Sequence, residues 1–252
     1  MSLPRIAAVF TMCLLLASAG ARAVTQAEVV AGAEKMYRER VAELARAGML
    51  DSDAAFVARV QRIARRLGEQ ATRDAPGAPV WMWEIHTSDD ADDNASCMAG
   101  GKILLSQAYV ERLALTDAEL AMVLSHEMQH AILRHNLKEY EEAIRLVPAW
   151  LAKPFSALED AVDNDAGLMA RLEAINKEQE IEADRFGLAM AWRAGWKAMD
   201  LARYFRKLDL SRNMGTWSNP IHPAPRQRWH AARSQAELLD SGKLDAARTS
   251  GN

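Results

Sequence analysis

Residues 116–135 read TDAELAMVLSHEMQHAILRH, and the way this stretch is built decides the fold. Thr116-Asp117-Ala118-Glu119 is a capping box, in which the threonine hydroxyl and the glutamate carboxylate satisfy backbone N–H groups at a helix start. Leu120, Val123, Leu124, Ile132 and Leu133 make the helix that follows apolar and core-facing. His126 and His130 fall on it four residues apart. Four residues advance a helix by about 400°, so the two imidazoles stand one turn apart on one face. That placement suits two ligands of a tetrahedral Zn²⁺, with Glu127 reaching a water in the open fourth position. A metal would bring that water's pKa to about 7, and the carboxylate would take its proton. The competing reading is a pair of core histidines satisfied by backbone and carboxylate groups, since a buried imidazole needs a partner either way.

A metal centre needs a third protein ligand. A glycine three residues and a histidine six residues past His130 would mark the metzincins, but those positions are Leu133 and Asn136. His135 is five residues on, about 140° round the helix, and reads as a C-terminal residue interacting with the helix end. Carboxylates on another helix are the alternative, and Glu180-Ile181-Glu182-Ala183-Asp184 offers them. Glu180 and Asp184 share a face, so one can bind metal while the other supports it. A solvated acidic helix face is the commoner meaning of such a run.

Around this centre the chain reads as mostly helical. One helix is expected over Gln26 to Ala47, closed by Gly48. A second starts at Asp51 or Ser52 and carries Phe56, Val60, Ile63 and Leu67 at helical spacing. After the breaker Ala75-Pro76-Gly77-Ala78-Pro79, Val80 to Thr87 predicts a strand and Asp89 to Asn94 a loop. Met98 to Ser106 predicts a second short strand with Gly100-Gly101 at its start. Further helices are expected at about 107–114, 117–135, 139–152, 157–173, 177–194, 197–211 and 224–239. The fold class is α+β, with a small sheet beside the histidine-bearing helix.

The chain has 252 residues and a formal charge of −3, without the basic excess that favours nucleic acid. Arg5, the uncharged apolar run Ile6 to Ala19 and the small residues Ala21 and Ala23 form a signal-peptide pattern over 1–23. The run is shorter than the ~20 apolar residues of a spanning helix. Thr11-Met12 before Cys13 does not suit lipid attachment. Export would leave a single domain, 24–252, with N-terminal helices to about 75, a core over 80–235 and a tail over 236–252. Cys97 would be its only cysteine, so no internal disulfide forms.

Four segments in order carry a family resemblance: Asn94 to Gly101 (NASCMAGG), HEMQHAILRH at 126–135, EIEADRFGLAMAWRAG at 180–195, and His222-Pro223 with Arg228. Together they resemble the HtpX and prenyl-protease type of zinc peptidase over about residues 80–235. The resemblance implies a compact zincin-like domain of the minigluzincin kind, holding one Zn²⁺ through His126, His130 and Glu180. It implies Asp184 and Arg228 as supports behind the ligands, Glu127 as the catalytic base, and Asn94, Ala95, Gly100 and Gly101 on an edge strand lining the cleft. His222 is placed near the metal, either as a latch in the open position or as a donor to the oxyanion. Ser96, Cys97 and Ala99 depart from the aromatic, alanine and proline more usual there. The implied activity is a soluble, periplasmic zinc endopeptidase acting on unfolded or misassembled envelope proteins. Association with envelope membrane proteins stays open, as does a metal-containing, chaperone-like protein with little turnover.

Weaker features read as packing. Trp192, Trp196, Trp217 and Trp229 are core-type aromatics, His86 and His230 structural, and Cys97 a small apolar filler. Residues 143–158, interrupted by Pro148 and Pro154, are either a lid or a packed element.

Overall fold

The computed structural model describes residues 23–76, 81–211 and 223–243. In order these form α1 (Gln26–Ala47), α2 (Ala54–Asp74), β1 (Glu84–Ser88), β2 (Ala95–Met98), β3 (Lys102–Ser106), α3 (Gln107–Arg112), α4 (Asp117–Ile132) and α5 (His135–Leu146). A 3-10 turn (Pro148–Ala152) follows, then α6 (Phe155–Asn164), α7 (Ala166–Arg193), α8 (Ala198–Ser211) and α9 (Pro225–Asp240). Residues 1–22 of the signal-peptide pattern, residues 77–80 with Val80, Trp217, His222 and residues 244–252 of the expected tail lie outside the described residues.

The capped helix is the centre of the molecule. Thr116 N donates to Glu119 Oε2 at 2.7 Å, and Glu119 N to Thr116 Oγ1 at 3.4 Å. Glu119 is buried, and Lys207 Nζ from α8 stands 2.7 Å from it. A buried carboxylate is tolerated when so paired. From this fixed start α4 runs between α2, α7, α8 and β2, with Leu120, Met122, Leu124 and Met128 fully enclosed. The second helix at the site comes unusually close. A Cβ on Gly187 of α7 would stand 2.9 Å from His126 N and 3.1 Å from its Cα, both backbone atoms. Glycine at 187 is what lets α7 lie against the histidine-bearing turn of α4.

The sheet has strand order β1-β3-β2, with β1 parallel and β2 antiparallel to β3. Two strand expectations change. Of the strand expected over Val80 to Thr87, the described part begins at Glu84; Trp81 and Trp83 before it stack on each other, 5.0 Å apart, outside any ladder. The single strand expected over Met98 to Ser106 is instead a hairpin. Gly100 and Gly101 make its turn at φ +85 and +80, values an L side chain rarely adopts. They therefore lie in the turn and not on the edge strand. The edge is β2, preceded by Asn94 and starting at Ala95.

α2 starts at Ala54 with Asp53, not Asp51 or Ser52, as its cap, and three later helix boundaries differ more. The helix expected over 117–135 ends at Ile132; Arg134 takes left-handed φ +56, and His135 opens α5. The segment expected as 139–152 is the rest of α5, ended ahead of Pro148, which starts the 3-10 turn and has no N–H to donate. Segments expected at 157–173 and 177–194 divide at Asp165 instead, whose carboxylate accepts from Gly167 N and Leu168 N. From that cap α7 runs unbroken for 28 residues. Asn176, polar in sequence, does not break it, because its amide donates to Glu139 of α5 at 2.8 Å.

Three apolar clusters result, the smallest joining Tyr37 and Leu44 of α1 to Leu104 of β3. The main one joins α2, β3, α3, α4, α8, α9 and the C-terminal half of α7, with Trp192, Trp196, Trp229 and Cys97 packed against it. The second joins α1, α5, α6 and the N-terminal half of α7; Ile144, Leu146, Trp150 and Phe155 pack there, so residues 143–158 are a packed element. No described helix is long and apolar enough to cross a membrane.

Candidate metal centre

Three ligand-type side chains converge where α4 and α7 touch. His130 Nε2 lies 3.2 Å from His126 Nε2 and 3.3 Å from Glu180 Oε1, while His126 Nε2 lies 3.5 Å from Glu180 Oε2. Among the described residues this is the one group of three such side chains able to hold a metal ion. A tetrahedral Zn²⁺ with bonds of ~2.0–2.1 Å has ligand atoms about 3.3 Å apart, close to the spacing of the two imidazole nitrogens, and each of these has one Glu180 oxygen 3.3–3.5 Å away. The donor set, two imidazoles and a carboxylate, is also one zinc takes in catalytic sites.

Behind these three side chains sits a buried ion pair. Arg228 of α9 donates to Asp184 from Nε at 2.7 Å and from Nη2 at 2.6 Å, a two-pronged contact. Asp184 Oδ1 in turn stands 2.9 Å from His126 Nδ1, off the line of an ideal hydrogen bond. Arg228 Nη2 is 3.7 Å from Glu180 as well. Burial pushes the Asp184 carboxyl up, but Arg228 and His126 outweigh it and hold the pKa below its ordinary value. Burial would likewise lower His130, yet Glu180 turns the net shift upward.

Glu127 is half-buried on the same turn of α4, and its carboxylate has no hydrogen-bonded partner among the described residues. It opens on a cavity of about 120 Å³ bounded by Asn94, Ala95, His126, Tyr204 and Arg228. The start of the edge strand, Asn94 and Ala95, thus borders the same cavity as the Glu127 carboxylate. Behind His130 and Glu180 a second cavity, of about 310 Å³, is lined by Glu139 and Asp163. A larger hollow of about 430 Å³ between α7 and α9 contains neither Glu127 nor a ligand histidine.

Some residues at the site were not foreseen. His135 does not point away along the helix: the left-handed turn at Arg134 folds it back, with Nδ1 3.0 Å from His130 Nδ1. Its other nitrogen is 3.2 Å from Glu182 Oε2. Burial, with His130 next, pushes the His135 pKa down to about 3, so it is neutral at neutral pH. Tyr204 Oη and Tyr109 Oη lie 2.6 Å apart beside the Glu127 cavity, and burial lifts Tyr204 to about 12. No sequence motif marks either tyrosine. His86 bonds to Asp51 at 2.5 Å and is structural, and His230 is exposed on α9, away from the ligands.

A helix bearing two histidines four apart, crossed by a second helix that supplies a glutamate, defines the glutamate-ligand class of metallopeptidase-type domains. The chain belongs to Peptidase family M48, whose family model matches residues 55–236. It is 30% identical over 160 residues to the beta-barrel assembly-enhancing protease of Yersinia pestis, covering 58% of this chain and 33% of that one. It is 29% identical over 126 residues to the mitochondrial metalloendopeptidase OMA1 of Arabidopsis thaliana, covering 50% and 26%. With OMA1 of Bos taurus the figures are 27% over 158 residues, 58% and 29%. The chain spans about a third or less of the length of these relatives. The match begins inside α2, consistent with α2 being part of the main core.

Proposed function

We propose that this protein is a zinc-dependent endopeptidase, with His126, His130 and Glu180 as the ligands of one Zn²⁺ and Glu127 as its general base. The observation that carries the reading is the convergence of two imidazole nitrogens 3.2 Å apart and the Glu180 carboxylate, 3.3–3.5 Å from each, beside a Glu127 carboxylate with no hydrogen-bonded partner among the described residues. A bound Zn²⁺ supplies Lewis-acid polarisation of the scissile carbonyl and the attacking water. Glu127 takes a proton from that water and delivers it to the leaving amine nitrogen. Asp184 and Arg228 hold His126 and Glu180 in place. An extended substrate segment adds to the outer edge of β2, where main-chain hydrogen bonds bind with little demand on sequence.

That mode favours unfolded chains over folded ones. Relatives named for beta-barrel assembly support misassembled envelope proteins as substrates, and the signal-peptide pattern supports a periplasmic location. The test is cleavage of casein, an unfolded protein. Purified protein should cut it, a zinc chelator should stop the cutting, and added Zn²⁺ should restore it. A folded, zinc-loaded protein that binds casein without cutting it would overturn the proposal in favour of a chaperone-like role.

A further inference from the structure

We infer that His135 is a positioning residue, one that fixes which nitrogen of His130 faces the metal; the inference rests on reading His126, His130 and Glu180 as a metal centre. His130 turns Nε2 toward His126 and Glu180, at 3.2 and 3.3 Å, which leaves Nδ1 for another partner. That partner is His135 Nδ1, 3.0 Å away, with the two rings near perpendicular at 84°. A hydrogen bond between two ring nitrogens needs one proton, and either ring can carry it.

Glu182 decides which. Its carboxylate only accepts, and it stands 3.2 Å from His135 Nε2. His135 therefore carries its proton on Nε2 and presents a lone pair at Nδ1. The shared proton then belongs to His130 Nδ1, and His130 Nε2 is left as a lone pair aimed at the metal. The opposite arrangement would set the His135 Nε2 lone pair against an anion and point an N–H into the ligand triangle. The two ligand histidines are thus held differently: His126 by the Asp184 carboxylate, His130 by a neutral imidazole anchored to Glu182. The relay is fixed in place. His135 is 2% exposed, its carbonyl accepts from Gln179 Nε2 at 3.2 Å, and Lys138 Nζ reaches Glu182 at 3.5 Å.

The test is zinc affinity, measured by competition with a chromophoric chelator, alongside urea unfolding of the metal-free proteins. His135→Phe keeps a ring and loses the acceptor, and should weaken zinc binding about 10–100-fold. His135→Asn, with an oxygen near the Nδ1 position, should recover most of that loss while unfolding at a similar urea concentration. Tight binding by His135→Phe would overturn the inference, as would His135→Asn binding as weakly as His135→Phe. Should His135→Phe fail to fold, Glu182→Ala at the partly exposed end of the relay decides. A several-fold weaker affinity supports the inference, and wild-type affinity overturns it. A wild-type protein that took up no zinc would overturn this inference together with the metal-centre reading, an outcome distinct from failure of the variants alone.

Discussion

Glu127→Gln should lower kcat for casein cleavage by about 10²–10⁴-fold and leave zinc content at the wild-type level. The substitution preserves shape and removes only the ability to accept and pass on a proton. Glu127 is outside the group of His126, His130 and Glu180, and its carboxylate has no hydrogen-bonded partner among the described residues, so its loss breaks no hydrogen bond among them. The cavity it faces, shared with Asn94, Ala95 and Tyr204, should still receive substrate. Casein binding is therefore expected to survive while turnover does not. Kinetics on wild type and variant, with metal analysis of the same samples, check this. A variant keeping more than about a tenth of wild-type kcat would remove Glu127 from the mechanism.

Arg228→Met carries the largest expected cost to the fold, about 3–5 kcal/mol in the metal-free protein. Arg228 is 8% exposed and gives two hydrogen bonds to Asp184, itself largely enclosed. Methionine fills much of the space but leaves a buried carboxylate with its main counter-charge gone. The pH dependence follows in sign. Burial raises the Asp184 carboxyl, and Arg228 with His126 more than reverses that, so its folded value is lowered. A lowered carboxylate stabilises the fold above its unfolded value and loses that contribution as pH falls through the folded one. The deficit of Arg228→Met should thus be large at neutral pH and shrink in acid, below the ordinary carboxylate range. Urea unfolding at both pH values checks it. A deficit that is small at neutral pH, or that grows in acid, would contradict the assignment of the pair.

What could be read from the sequence was local. Thr116 and Glu119 cap α4 within one turn, and His126 and His130 share a face by helical spacing alone. Both features needed no partner to be recognised. Gln26–Ala47 was legible in the same way, closed by Gly48 at φ +71. The parts that escaped depend on contacts far along the chain. The gap expected between 173 and 177 is helical, with Asn176 held by its amide's hydrogen bond to Glu139. The β2–β3 hairpin hid because two short strands around Gly100-Gly101 read as one. His135 was misplaced because Arg134, a non-glycine residue, adopts a left-handed conformation that no residue preference announces. Gly187 had a signal, a glycine within an otherwise helix-forming run, but only the approach of His126 gives it meaning.

The most direct measurement is zinc per chain by elemental analysis, after dialysis against metal-free buffer, for wild type, Glu180→Ala and Glu182→Ala. Glu180 stands within 3.5 Å of both histidines, whereas Glu182 among the described residues pairs with His135 and Lys138. The wild type and Glu182→Ala should each carry one zinc per chain, and Glu180→Ala well below one. A wild-type protein without zinc, or a Glu180→Ala protein that keeps it while Glu182→Ala loses it, would rule out the metal centre as assigned.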